Sequence, residues 1–176
     1  MNRLQTIDAD TLQSTAYEPV SFVVDDLLPQ GLHLLAGAPK IGKSWLALWL
    51  CLQVAKGESV WGLATHGGTV LYLCLEDNFT RIQNRLFQIT DDAPETLHFA
   101  TIAAGLYSGL QEQLTNFLAQ HPDTSLVVID TFQRIRDGND TGPPYASDYR
   151  DVTALKAIAD KHSISLLLVH HTRKQQ

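Results

Sequence analysis

The sequence is poor in sulfur and in charge. It carries two cysteines and one methionine among 176 residues, and charged side chains make up 18%. A disulfide-built secreted scaffold needs far more cysteine, so that class is excluded. Basic residues do not dominate either: 13 Lys and Arg face 19 Asp and Glu, a formal charge of −6. That balance excludes a domain that grips nucleic acid by bulk positive charge alone, though not a local basic loop. Long apolar runs are missing. The longest, Trp45 to Ala55, has 11 residues and is broken by Gln53, well short of the roughly 20 that span a bilayer. Arg3 stands near the N-terminus with no apolar stretch behind it, so no secretory signal is visible. Glycine (11) and proline (7) are not enriched, which excludes collagen-like and low-complexity chains. Cys51 and Cys74 lie in apolar segments and read as reduced core thiols, so a cytoplasmic location is expected.

What is present is 44% hydrophobic residues, enough for one domain over residues 1–176 that buries roughly 70% of its unfolded surface. Residues 1–17 are polar, weakly patterned and expected to be disordered. Short apolar runs then alternate with helical patterns. Leu32–Ala36, Thr69–Leu75, Leu97–Ile102, Leu126–Asp130 and Ser165–Val169 read as strands. Helices are predicted over Lys43–Lys56, closed by Gly57, and over Phe79–Ile89, capped by Asn78. A third should follow a capping box of Ser108 and Gln111 and run to Ala119, with Leu110, Leu114, Phe117 and Leu118 inward. A fourth, capped by Ser147, should reach His162 with Val152, Leu155, Ile158 and Ala159 inward. Residues 137–146, rich in Asp, Asn, Gly and Pro, read as a loop. Alternating elements with continuously apolar strands predict an α/β fold: a three-layer αβα sandwich on a mainly parallel five-stranded sheet.

Between the first strand and first helix lies Gly37-Ala38-Pro39-Lys40-Ile41-Gly42-Lys43-Ser44, the spacing G-x-x-x-x-G-K-[ST]. Glycines at its ends let the backbone bend so that successive amides cradle phosphate oxygens at a helix N-terminus. The binding segment is expected to run from Gly37 through Trp45. Lys43 would reach the β- and γ-phosphates of ATP, and the Ser44 hydroxyl would bind Mg2+. Lys40 is either a second cation for the phosphates or an exposed loop lysine.

Such a site needs a carboxylate at the carboxyl end of a neighbouring strand. Asp130 ends the fourth apolar run and is assigned to Mg2+ through a bound water. Hydrolysis also needs a group that activates water. Glu76, at the tip of the second strand, is the first candidate, with Asp77 as the fallback. His170 and His171 end the last strand. Adjacent strand residues point to opposite faces, so the pair cannot easily share a metal, and one of them is a candidate γ-phosphate sensor. Arg81 and Arg85 read as a solvated helix face. No G-x-S-x-G elbow is present, so a hydrolase triad is unsupported.

The set of Gly37–Ser44, Leu73-Cys74-Leu75-Glu76-Asp77, Val127-Val128-Ile129-Asp130-Thr131 and Val169-His170-His171-Thr172-Arg173-Lys174 resembles the RepA-like AAA ATPases of the RecA/DnaB superfamily. Their namesake is a hexameric plasmid replicative helicase. The resemblance covers residues 18–174 and implies a RecA-like P-loop core that hydrolyses ATP. It implies Lys43 on the phosphates, Ser44 and Asp130 on Mg2+, and Glu76 activating water. His171, in preference to His170, would be the polar sensor. The partners it implies are further subunits of a homo-oligomeric ring and single-stranded DNA, with no membrane. Arg136 to Ser147 would occupy the place of a first DNA-facing loop, although Asp137 and Asp140 make it acidic here. Relatives continue into further strands, a second DNA loop and, usually, an arginine finger, so the sequence reads as the N-terminal part of a larger core or as a truncated gene product. Two other readings stay open: an ATP-dependent regulatory or scaffold module without unwinding, and a small-molecule kinase.

Overall fold

The computed structural model describes residues 4–136 and 144–172. In chain order the elements are α1 (Ala9–Ser14), β1 (Phe22–Val24), β2 (Leu28–Pro29), β3 (Gly31–Gly37), α2 (Lys43–Lys56), β4 (Thr69–Cys74) and α3 (Phe79–Ile89). There follow β5 (Leu97–Ala100), α4 (Gln111–Gln120), β6 (Thr124–Asp130), α5 (Pro144–His162) and β7 (Ser165–His171). Strands β3 to β7 form one sheet in the order β3-β7-β6-β4-β5, and every pairing in it is parallel. β1 and β2 pair antiparallel in a separate small hairpin.

Continuous burial follows from coverage on both sheet faces. All six residues of β4 are buried. Val70, Tyr72, Leu126, Val128, Leu167 and Val169 pack on one face with Ala47, Leu48 and Cys51 of α2 and Ile82 of α3. Leu71, Leu73, Val127, Ile129, Leu166 and Leu168 pack on the other with Leu114 and Leu118 of α4 and Leu155, Ile158 and Ala159 of α5. These are the three layers. The connection leaving β4 enters α3 on the first face, whereas that leaving the neighbouring β6 enters α5 on the second. Where adjacent connections part in this way, a crevice opens at the carboxyl ends of the strands.

α2 ends at Gly57 in the left-handed region, with φ 67°. Asn78 caps α3 by accepting from the Arg81 amide at 2.9 Å. Several predicted boundaries move. The strand from Leu97 stops at Ala100, and Ile102 is 86% exposed. Ser108 makes no capping box, because Ser108 and Gly109 lie in a wide non-helical turn (Gly109 φ 135°) and α4 begins afterwards without a side-chain cap. The last helix starts at Pro144, so Ser147 lies inside it and residues 144–146 are not loop. Proline is favoured in a first helical turn, where its missing N–H costs nothing. Residues 137–143 of the predicted loop lie outside the described residues. Val152 is 41% exposed and faces outward, contrary to the inward expectation. Before the sheet, α1 is capped by Asp8 and none of its residues is buried. Among the described residues, no helix is long and apolar enough to cross a membrane.

Candidate functional site

The Gly37–Ser44 segment connects β3 to α2. Gly42 sits at the helix N-cap with φ 93° and provides no side chain to bond the first-turn amides. Those donors are left for an external anion. Lys40 also has positive φ, 65°, and is exposed, as is Ile41. A side chain at Gly37 would put its Cβ 2.6 Å from Ile41 Cδ1, so the turn packs against glycine there. Lys43 is only 5% exposed. Its Nζ donates to the carbonyls of Gly37 at 2.8 Å and Ala38 at 2.7 Å, so the ammonium lies within the loop itself.

β6 delivers Asp130 to the same edge. The strand's alternation puts Asp130 on the α2 face with Leu126 and Val128. It is 5% exposed, and a buried carboxylate needs partners. Tyr72 Oη donates to Asp130 Oδ2 at 2.8 Å and also lies 3.3 Å from the Ser44 carbonyl. Cys51 and Cys74 are free and buried nearby. Burial first, and Asp130 among nearby charges, push both thiols well above the usual range, so they stay protonated at neutral pH. Burial and the same carboxylate also push the Tyr72 phenol up.

Glu76 follows β4 in a turn. Its Oε1 lies 3.3 Å from Thr131 Oγ1 and 3.4 Å from Arg134 Nε, and its Oε2 lies 3.8 Å from His171 Nε2. His171 pairs in register with Gly37, and the Thr172 amide donates to the Gly37 carbonyl at 3.1 Å. β7 thus brings His171 beside both the loop and Glu76. His170 turns to the other face, with its ring 6.2 Å from that of Phe132. The Nδ1 atoms of both histidines are buried and have no partner among the described residues.

Asp77, the fallback, is engaged elsewhere: Oδ1 accepts from Arg81 at 2.9 Å and Oδ2 from Arg85 at 2.6 Å. Arg85 does not belong to a solvated face. Its side chain is 20% exposed and its guanidinium lies over the Trp45 ring, 5.5 Å from the centroid. Arg136 is likewise committed internally. It bonds Asp151 Oδ2 at 2.9 Å and Ser147 Oγ at 2.9 Å, and pairs with Asp148 Oδ1 at 2.6 Å.

Sequence reasoning missed Tyr72, Thr131 and Arg134. Tyr72 left a signal: its hydroxyl is the polar group inside the apolar run Val70–Leu75, at the same strand parity as Cys74. Thr131 and Arg134 left none, since their positions depend on the turn after β6.

The groups the sequence assigns to a cation are both oxygens, the Ser44 hydroxyl and the Asp130 carboxylate. Such hard donors suit Mg2+ rather than zinc. Among the described residues, no group of three or more His, Cys, Asp or Glu could hold a metal. A cation here would therefore complete its shell with phosphate oxygens and water.

Fold and edge together define a class, the RecA-like P-loop ATPase domains. The chain belongs to the AAA domain family, whose profile matches residues 2–176. It is similar to the DNA repair protein RadA of Streptococcus pyogenes serotype M6, 30% identical over 151 residues, which are 85% of this chain and 29% of that protein. RadA of Streptococcus pneumoniae is 27% identical over 151 residues, 85% of this chain and 32% of that protein. Among solved structures, an ATPase domain superposes with a TM-score of 0.65 at 15% identity, over 83% of this chain and 58% of that one. The chain thus spans about a third or less of these RadA proteins.

Proposed function

We propose that this chain is the ATP-binding and ATP-hydrolysing core of a RepA-type, replication-related ATPase that acts on DNA within a ring of subunits. One convergence supports the reading: the Gly37–Trp45 segment, buried Asp130 and the Glu76–His171 pair meet at one sheet edge, with Glu76 and His171 3.8 Å apart. In this reading residues 1–176 form a single core unit, located in the cytoplasm. The two likenesses add to it, since RadA is named for DNA repair and the solved neighbour is an ATPase domain.

The chemistry follows from the side chains. Phosphates seat on the amides between Gly37 and Ser44, with Ala38, Pro39, Lys40 and Ile41 forming the wall of the turn and Trp45 following it. Lys43 exchanges its bonds to the Gly37 and Ala38 carbonyls for bonds to the β- and γ-phosphates. Ser44 and Asp130 would hold Mg2+, which would neutralise charge on the phosphates. Glu76 accepts a proton from a water that attacks the γ-phosphorus. The bond from that phosphorus to the β–γ bridging oxygen breaks, leaving ADP and inorganic phosphate. His171 donates to a γ-phosphate oxygen and links its presence to Glu76. His170, on the far face, is the second choice for that role.

The test is Lys43→Ala. Binding of a fluorescent ATP analogue should weaken by at least roughly tenfold and phosphate release should vanish, since charge-assisted bonds to phosphate are lost. Parent-level binding and turnover would defeat the assignment. A second reading, an ATP-dependent regulatory or scaffold module, is favoured by one observation: the loop-flanking Arg136 is held by Asp151, Asp148 and Ser147 rather than displayed.

A further inference from the structure

We infer that Tyr72 is a positioning residue for magnesium: its phenol aims the Asp130 carboxylate and spaces it from the first turn of α2. The inference rests on the reading of this edge as an ATP–magnesium site.

Strand β4 is buried along its whole length. A hydroxyl in such a strand costs free energy unless it is bonded, and phenylalanine would fill nearly the same volume without it. The ring already has an apolar partner, Phe99, at 6.1 Å between centroids. The hydroxyl is spent elsewhere. It has one proton, and two acceptors lie in reach: Asp130 Oδ2 at 2.8 Å and the Ser44 carbonyl at 3.3 Å. These acceptors belong to the two residues assigned to the cation. One phenol therefore spans from the strand that carries the carboxylate to the helix turn that carries the hydroxyl.

The consequence is directional. With Oδ2 accepting from Tyr72, rotation of the carboxylate is restrained, and Oδ1 is the oxygen free of that bond for a magnesium-bound water. Both anchors are rigid, because Asp130 ends a paired strand and Ser44 lies in a 14-residue helix. Outer-shell partners that orient a metal ligand typically govern roughly 10- to 100-fold in metal affinity. Tyr72 does not touch phosphate in this arrangement, so its effect should vanish when magnesium is absent.

The experiment compares the intact chain with Tyr72→Phe, using equilibrium binding of a fluorescent ATP analogue titrated with Mg2+ and repeated in EDTA. The half-saturating Mg2+ concentration should rise roughly tenfold, while binding in EDTA stays within about twofold of the parent. A modest destabilisation leaves the folded fraction close to one, so half-saturation reports the site rather than the folding equilibrium. In an Asp130→Asn background, adding Tyr72→Phe should change half-saturation by less than about twofold, because the phenol acts through that carboxylate. Equal half-saturation in parent and variant overturns the inference, as does equal weakening with and without Mg2+, which marks a packing role. A parent chain that binds no ATP in either condition overturns the nucleotide reading itself.

Discussion

Glu76 and Asp130 are both carboxylates at strand ends, yet their surroundings differ. Asp130 is enclosed and has one strong partner at 2.8 Å. The Glu76 side chain is 45% exposed and its contacts with Thr131, Arg134 and His171 all lie between 3.3 and 3.8 Å. A carboxylate held loosely can turn toward a water, whereas one held tightly can only orient what already sits beside it. That difference supports the proposed roles, with Glu76 as the general base and Asp130 as the fixed carboxylate. Glu76→Gln should accordingly keep ATP affinity within a few-fold while phosphate release falls by roughly 10²–10⁴-fold. Release at the parent rate in a binding-competent variant would remove Glu76 from the role. The sequence ranked Glu76 before Asp77 only by its place at the strand tip. The fold separates them, because Arg81 and Arg85 on α3 claim Asp77.

At the scale of elements, Arg136 ties the segment after β6 to α5 by polar bonds. Arg136 reaches Asp151, whose side chain is 5% exposed, and meets Ser147 and Asp148 one turn earlier. Removing the guanidinium leaves a buried carboxylate short of its ionic partner. Arg136→Ala should cost about 2–4 kcal/mol, read as a lower urea midpoint at unchanged slope. A loss under about 0.5 kcal/mol would place the pair among surface ion pairs of little worth. Element boundaries were legible where a local signal decides them: Gly57 ends α2 and Asn78 starts α3 as read from sequence. They were not legible at Ser108 or Ser147. Ser108 lost its capping role to a turn built on Gly109. Ser147 was recruited by Arg136, which is near it only in space.

For the whole molecule, the sheet order puts the loops after β3, β4, β6 and β7 on one edge, and the ring-and-DNA reading is tested there. Labelled single-stranded DNA should bind at low salt more tightly with ATP than without, and affinity should fall steeply as salt rises. Sedimentation should show ATP-dependent growth in size. No DNA binding at low salt with ATP present would favour the regulatory reading, consistent with the net charge of −6.

The amino-acid order alone determined the alternation of apolar strands with helices, hence the three-layer parallel sheet, and it displayed the phosphate-loop spacing. Both are local: one follows from periodicity, the other from a short run of consecutive residues. It ranked Glu76 before Asp77 by strand-end position, and its resemblance ranked His171 before His170, but it did not show what any of the four contacts. Tertiary structure supplied those contacts: Arg81 and Arg85 bond Asp77, Thr131 meets Glu76 across 55 positions, and His171 lies 3.8 Å from Glu76 while His170 turns toward Phe132. Side-chain direction at a strand end depends on what the neighbouring strand and the covering helix offer, and that information exists only after the layers have packed.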